Sequence, residues 1–158
     1  MHHVSIRTAD IHRAIAFYQQ LGFELEAQFT TGYTLACWML GIPGRIDGRI
    51  ELIQIPQPAA TADAFGDEHY TGYYHVSFDL TAVTSSLPDW LAALRVRFEQ
   101  AGQTEGKTDV NPSSLRVLLE PEQQMIGDRV YEVAFIADAD GLPLELIRAM
   151  NPPGAGHR

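Results

Sequence analysis

His3-Val4-Ser5 and His75-Val76-Ser77 are the same tripeptide, and each is followed downstream by Glu-Leu-Ile, at residues 51–53 and again at 145–147. A fragment that recurs at such an interval is too widely spaced for a solenoid and points instead to a duplicated module. Each copy then carries one imidazole and one carboxylate, set among apolar residues. Two copies facing one another would direct two nitrogens and two charged oxygens at a single point.

Working outward from the first tripeptide, residues 3–8 read as a short strand. Asp10 stands as an N-cap, Ile11, Ala14, Ile15, Tyr18 and Leu21 recur at helical spacing, and Gly22 stops the helix. Residues 23–29, 33–40 and 49–55 follow as aromatic-rich and aliphatic strands separated by Gly or Pro, so residues 1–55 read β-α-β-β-β. Residues 56–72 hold Pro, Gly and Ala without period and form the linker. The second module spans 73–150. It opens with a strand at 73–80 and a helix at 87–101, with Leu87, Trp90, Leu91, Leu94 and Phe98 on one face and Gly102 as its stop. An insert at 103–130 contains a strand near 115–119. Strands at 131–137 and 142–148 are then joined at Asp140-Gly141, a turn dipeptide. The tail, 151–158, is expected to fray. The fold class is α+β, built from two βαβββ modules.

Composition bounds the function. The chain has 158 residues and a formal charge of −9, with no basic cluster, which argues against a nucleic-acid partner. The N-terminus lacks a signal-peptide pattern and no apolar run spans a bilayer, so no membrane partner is expected. Cys37 is the only cysteine, which excludes an intrachain disulfide, and it reads as a small core residue in a cytoplasmic protein.

Strand alternation places His3, Ser5 and Arg7 on one face, and Glu51, Ile53 and Ile55 together. His75 shares a face with Ser77, and Glu145 with Ile147. A carboxylate between Ile50 and Leu52, or between Leu144 and Leu146, is costly to bury unless it is paired or coordinates a cation. A divalent ion would be neutralised by the two glutamates, while His3 and His75 complete its ligands without adding charge. Mixed nitrogen and oxygen donors suit Zn, Ni, Fe, Co or Mn better than Ca or Mg. The plain alternative is that each glutamate edges a sheet beside an arginine and each histidine is satisfied in the core. His2 alternates away from His3, and His12 and His69 read as solvated. Arg7 suits an anionic group of a small-molecule substrate or, equally, a salt bridge to one of the glutamates. Arg129 and Tyr131 are candidates for the pocket rim.

Residues 3–10 (His-Val-Ser-Ile-Arg-Thr-Ala-Asp), 16–23 (Ala-Phe-Tyr-Gln-Gln-Leu-Gly-Phe) and 138–147 (Asp-Ala-Asp-Gly-Leu-Pro-Leu-Glu-Leu-Ile) resemble the first strand, first helix and closing hairpin of the vicinal oxygen chelate superfamily. That superfamily holds glyoxalase I, methylmalonyl-CoA epimerase, extradiol dioxygenases and the bleomycin and fosfomycin resistance proteins. The resemblance implies two modules, each curling into a half-barrel around a metal cleft. It also implies one divalent transition metal, Zn or Ni foremost, with Mn, Co or Fe possible, on His3, Glu51, His75 and Glu145. That His/Glu/His/Glu set is closest to the glyoxalase I and epimerase branches. By the same resemblance Glu51 and Glu145 are the catalytic carboxylates. Glu145 moves a proton between adjacent carbons while the metal steadies an enediolate, and Arg7 falls where bacterial glyoxalases place an arginine that contacts glutathione. Those enzymes carry a polar amide four residues past the Glu51 position, where this chain has Ile55. The implied activity is a glyoxalase-like lyase or isomerase. The other readings are an acyl-CoA epimerase or a drug-binding resistance protein. A homodimer is expected, because curled half-sheets leave edges and apolar surface that two-fold pairing would cover. The modules of this superfamily pair either within one chain or between two.

Overall fold

A computed structural model describes residues 1–32, 34–104 and 114–150, with only the backbone described at Thr104. The elements are β1 (Val4–Thr8), α1 (Ile11–Leu21), β2 (Phe23–Thr31), β3 (Thr34–Gly41), β4 (Arg49–Gln54), β5 (Val76–Asp79), α2 (Leu87–Thr104), β6 (Arg116–Ile126), β7 (Arg129–Ala137) and β8 (Pro143–Ala149). They form two four-stranded mixed sheets of the same topology, β1-β4-β3-β2 and β5-β8-β7-β6. In each, the first strand runs parallel to the last and the other pairings are antiparallel. The duplication read from the two tripeptides is therefore a duplication of topology.

Helix α1 forms where its local signals agree. The Asp10 side chain accepts hydrogen bonds from the backbone N–H groups of His12 and Arg13, and Gly22 closes the helix in the left-handed region (φ 110°). A β-carbon at Gly22 would lie 2.9 Å from Cβ of Arg45, so glycine is required there by both conformation and space. Helix α2 begins after Ser86, whose hydroxyl accepts from the Asp89 N–H. It does not stop at Gly102 but continues to Thr104, because a glycine in the ordinary helical region lowers propensity without ending a helix. The segment 105–113, the first residue of the strand expected at 33–40 and the tail from 151 lie outside the described residues.

The strand expected near 115–119 is longer, running to Ile126. Pro121 falls where the β6–β7 register shifts between Leu119 and Glu122, so the edge strand absorbs a residue that a central strand would refuse. Edge strand β2 shifts register likewise, between Leu25 and Ala27.

Both sheets turn their apolar faces to one core. Ile6, Ile50 and Leu52 from the first sheet, Phe78, Leu144 and Leu146 from the second, and the inner faces of α1 and α2 belong to a single buried cluster. Phe17 and Phe98 meet edge to face at 5.3 Å between the helices, and Phe23 and Phe78 meet at 5.7 Å. A polar clasp also joins the halves. Tyr18 donates to Oδ2 of Asp138 at 2.9 Å, while Asp140 accepts from the Thr8 hydroxyl (2.5 Å), the Ala9 N–H (3.1 Å) and Arg13 Nη2 (3.1 Å). Burial raises the Asp138 carboxyl above the ordinary aspartate value, against the hydrogen bonds from Leu142, Tyr18 and Asp140. Burial and the Asp138 charge push the Tyr18 phenol up in turn. With core faces and helices committed inward, the His–Glu faces point away from the core.

Candidate metal centre

His3 and His75 each occupy the residue just before the first strand of their sheet, and Glu51 and Glu145 sit in the strand that pairs with it. The register is the same in both sheets: Ser5 stands opposite Glu51, and Ser77 opposite Glu145. This brings His3 Nε2 to 3.5 Å from Glu51 Oε2, and His75 Nε2 to 3.3 Å from Glu145 Oε2. Both pairs are partly exposed on the outward faces.

The surroundings of the two pairs differ. Glu51 is held at both oxygens, by the Ser5 hydroxyl at 2.8 Å and by Trp38 Nε1 at 3.3 Å. Among the described residues Glu145 has no comparable donor; opposite it in β7 stands Phe135, at the position that Trp38 occupies opposite Glu51 in β3. His75 is enclosed by rings, with Tyr74 at 4.5 Å and Phe135 at 5.1 Å. Its Nδ1 is buried with no hydrogen-bond partner among the described residues. Phe65, from the connection between the sheets, packs on Phe135 at 5.2 Å and extends this cluster.

His3, by contrast, is tied into a chain. Glu26 binds Arg49 through two contacts of 2.7 and 2.6 Å, Arg49 Nη1 lies 3.1 Å from His2 Nε2, and His2 Nδ1 lies 2.8 Å from His3 Nδ1. An arginine can only donate, so with neutral rings His2 carries its proton on Nδ1 and passes it toward Nδ1 of His3. The His3 proton is then on Nε2, facing Glu51, and a metal held by this pair would take the place of that proton. His2 is thus not carried to the opposite face. Alternation begins only with β1 at Val4, and both His2 and His3 lie beside Trp38, at 5.5 and 6.3 Å.

The donor sets fit a divalent transition metal as two half-sites. Bond lengths near 2.1 Å to imidazole nitrogen and carboxylate oxygen, at a tetrahedral angle, separate the two donors by roughly 3.4 Å, close to the spacing of each pair. The chain does not gather all four side chains at one point. Among the described residues no group of three or more His, Cys, Asp or Glu is placed to hold an ion.

Arg7 is exposed and, among the described residues, pairs with neither glutamate nor any other group; it lines a cavity with Ser5. Tyr131 lies on β7 four residues before Phe135, opposite Ala149, and Arg129 opens that strand at the hairpin tip. Neither lines the Arg7 cavity. His12 and His69 are exposed. Cys37 is fully buried, and burial pushes its thiol up to about 11, as befits a core residue. Trp38, Phe135, Phe65 and Tyr74 carry no role in the sequence reading. The signal that could have found the first two is their matched position opposite the two glutamates.

A family model described as the Glyoxalase/Bleomycin resistance protein/Dioxygenase superfamily matches residues 1–146, and the chain belongs to this superfamily. Among solved structures it is similar to a glyoxalase family protein from Enterococcus faecalis (18% identity, 94% of this chain and 96% of that one, TM-score 0.65). It is also similar to a glyoxalase family protein from Bacillus cereus (19% identity, 96% and 94%, TM-score 0.60). A third is the trypanothione-dependent glyoxalase I of Leishmania major (18% identity, 94% and 85%, TM-score 0.57). At these identities the likeness concerns the fold. A search of curated proteins finds no match. No helix among the described residues is long and apolar enough to cross a membrane.

Proposed function

We propose that the chain is a divalent-metal-dependent, glyoxalase-like lyase or isomerase acting on a small oxygenated substrate by proton transfer through an enediolate. The observation that carries this reading is the pair of His–Glu contacts at equivalent register in the two sheets, both at the spacing of a chelating pair. His3, Glu51, His75 and Glu145 would hold the ion, which when bound supplies Lewis acidity. Among the described residues the two pairs do not come together as one group within the chain, so on this reading a complete site is assembled between two copies of the chain. One copy contributes His3 and Glu51, and its partner contributes the other pair.

The residues divide the work. Glu51, held by Ser5 and Trp38, is the fixed ligand. Glu145, with no donor but His75 among the described residues, is free to take a proton from the carbon beside a carbonyl and return it to the neighbouring carbon. Phe135 and Tyr74, backed by Phe65, form an apolar wall around His75, the partner of that carboxylate. Ser77, level with Glu145 as Ser5 is with Glu51, makes no hydrogen bond to it, which leaves Glu145 its freedom.

Elemental analysis of untagged protein should find near-stoichiometric Zn, Ni, Co, Mn or Fe. The protein should isomerise a methylglyoxal–glutathione mixture when metal is present. Epimerisation of a racemisable acyl-CoA in place of that reaction would assign the same proton transfer to a thioester. Metal retained undiminished after Glu51→Ala and Glu145→Ala together, or turnover of neither substrate, contradicts the reading.

A further inference from the structure

The loop that joins β3 to β4, together with β5 and the turn that follows it, borders a cavity of about 800 Å³. That volume suits a small molecule. Both walls are held by their own backbone. In the loop, the Gly41 N–H donates to the Gly48 carbonyl at 2.8 Å, the Ile42 N–H to the Gly22 carbonyl at 2.9 Å and the Ile46 N–H to the Ile42 carbonyl at 3.2 Å. The loop folds so tightly that a β-carbon at Gly41 would lie 2.5 Å from the Ile46 carbonyl oxygen. In the turn, the N–H groups of Val83 and Thr84 both donate to the Leu80 carbonyl, at 2.9 and 3.0 Å. The cavity is therefore preformed, and a ligand entering it has little of the chain to order.

Its apolar lining comes from Pro43, Ile46, Phe78 and Val83, and its charge is of one sign: Asp47 and Asp79 line it and no basic side chain does. Each carboxylate spends one oxygen locally. Oδ1 of Asp47 accepts from the Gly48 N–H at 2.8 Å, and Oδ1 of Asp79 accepts from the Thr81 N–H at 2.8 Å. The second oxygen of each has no partner among the described residues, and the hydroxyls of Ser77 and Thr81 line the same space. Carboxylates on a surface are ordinarily just solvated; these two open on an apolar pocket whose shape is already fixed. The second module also reverses the charge of the first, since Asp79 stands four residues after His75 where Arg7 stands four after His3. A bare divalent ion is not the occupant, because among the described residues no third His, Cys, Asp or Glu joins the pair.

We propose that this cavity binds an organic ammonium ion borne on a small apolar body. The ammonium brings three donors, and the free oxygens of Asp47 and Asp79 with the Ser77 hydroxyl are the acceptors on offer. The lining around Ile46 and Phe78 takes the apolar body. The assignment rests neither on a metal at the His–Glu pairs nor on the proposed reaction.

The test is calorimetric titration of the whole chain at neutral pH with 3-phenylpropylamine and with 3-phenylpropan-1-ol, a body of the same shape without the charge. The amine is expected to bind roughly tenfold more tightly or better, the usual worth of a charge-assisted pair. Asp47→Asn combined with Asp79→Asn should bring the amine down to the level of the alcohol. Ala82→Trp, which fills the cavity from an exposed position in its lining, should abolish binding of both. Asp128→Asn, at the β6–β7 turn, removes a charge from an exposed residue outside the lining and should change neither affinity. Equal affinity for amine and alcohol, saturable binding of neither, or a preference for the amine that survives the double variant overturns the proposal. So does an equal loss from Asp128→Asn, which would reduce the preference to the net charge of the chain.

Discussion

At the scale of single residues, the two glutamates differ more than their shared Glu-Leu-Ile context suggests. Glu51 is fixed by Ser5 and Trp38, whereas Glu145 faces Phe135. Groups that orient a metal ligand commonly change metal affinity by about 10–100-fold when removed. Ser5→Ala should therefore weaken metal binding by that order in a competition titration, while Ser77→Ala should leave it unchanged. Equal effects of the two would mean that the asymmetry is incidental. The four candidate ligands were legible as residues because a repeated tripeptide marks them. Trp38 was not, since its approach to Glu51 depends on cross-strand register, and neither β2's bulge nor the exact pairing of β3 with β4 is visible in composition. His2 was misplaced for a related reason: alternation is a property of a strand, and the strand starts two residues later.

At the scale of elements, the fold was largely readable where local signals agreed. Asp10 and Gly22 bound α1 as expected, and Asp140-Gly141 makes its turn, with Gly141 at φ 94°. The reading failed at β6 because Glu120, Pro121 and Glu122 look like loop residues, and only the freedom of an edge strand lets it carry Glu120 and Pro121 through a register shift before pairing resumes at Glu122. It failed at Gly102 because a glycine ends a helix only when it adopts the left-handed conformation. The clasp between halves is open to measurement. Tyr18→Phe removes the donor to a buried carboxylate oxygen and should cost about 1–3 kcal/mol in urea denaturation; no change in midpoint would show the clasp to be idle. Glu132 gives a pH test. Its Oε2 accepts from Arg148 Nε at 2.7 Å and from the Leu87 N–H at 2.8 Å, and Arg148, with the Leu87 bond, holds the carboxyl below its ordinary value of 4.5. A lowered folded-state pKa contributes stability that is present above the ordinary value and lost as pH falls through the lowered one. Asp138 has the opposite sign, its raised pKa favouring the fold below the ordinary aspartate value and ceasing to as pH rises through the raised one. Glu132→Gln should flatten the loss of stability on acidification, and an unaltered acid profile would contradict that role.

At the scale of the whole molecule, the arrangement of the two sheets decides what a single chain can do. One core takes the inner faces of both sheets and both helices, so the two His–Glu faces are turned outward and do not meet. On the proposed reading each is half of a ligand set, and a second copy related by a two-fold axis would supply the other half twice over. The measurement that tests this most directly is the metal content of a co-refolded equal mixture of His3→Ala and His75→Ala chains. In a mixed dimer one site has both histidines and the other has neither. The account predicts that each variant alone binds no ion tightly and that the mixture regains about one ion per four chains, as random pairing into composite sites requires. Metal that fails to return in the mixture, while wild-type protein treated alike binds about one ion per chain, would contradict a site built between copies.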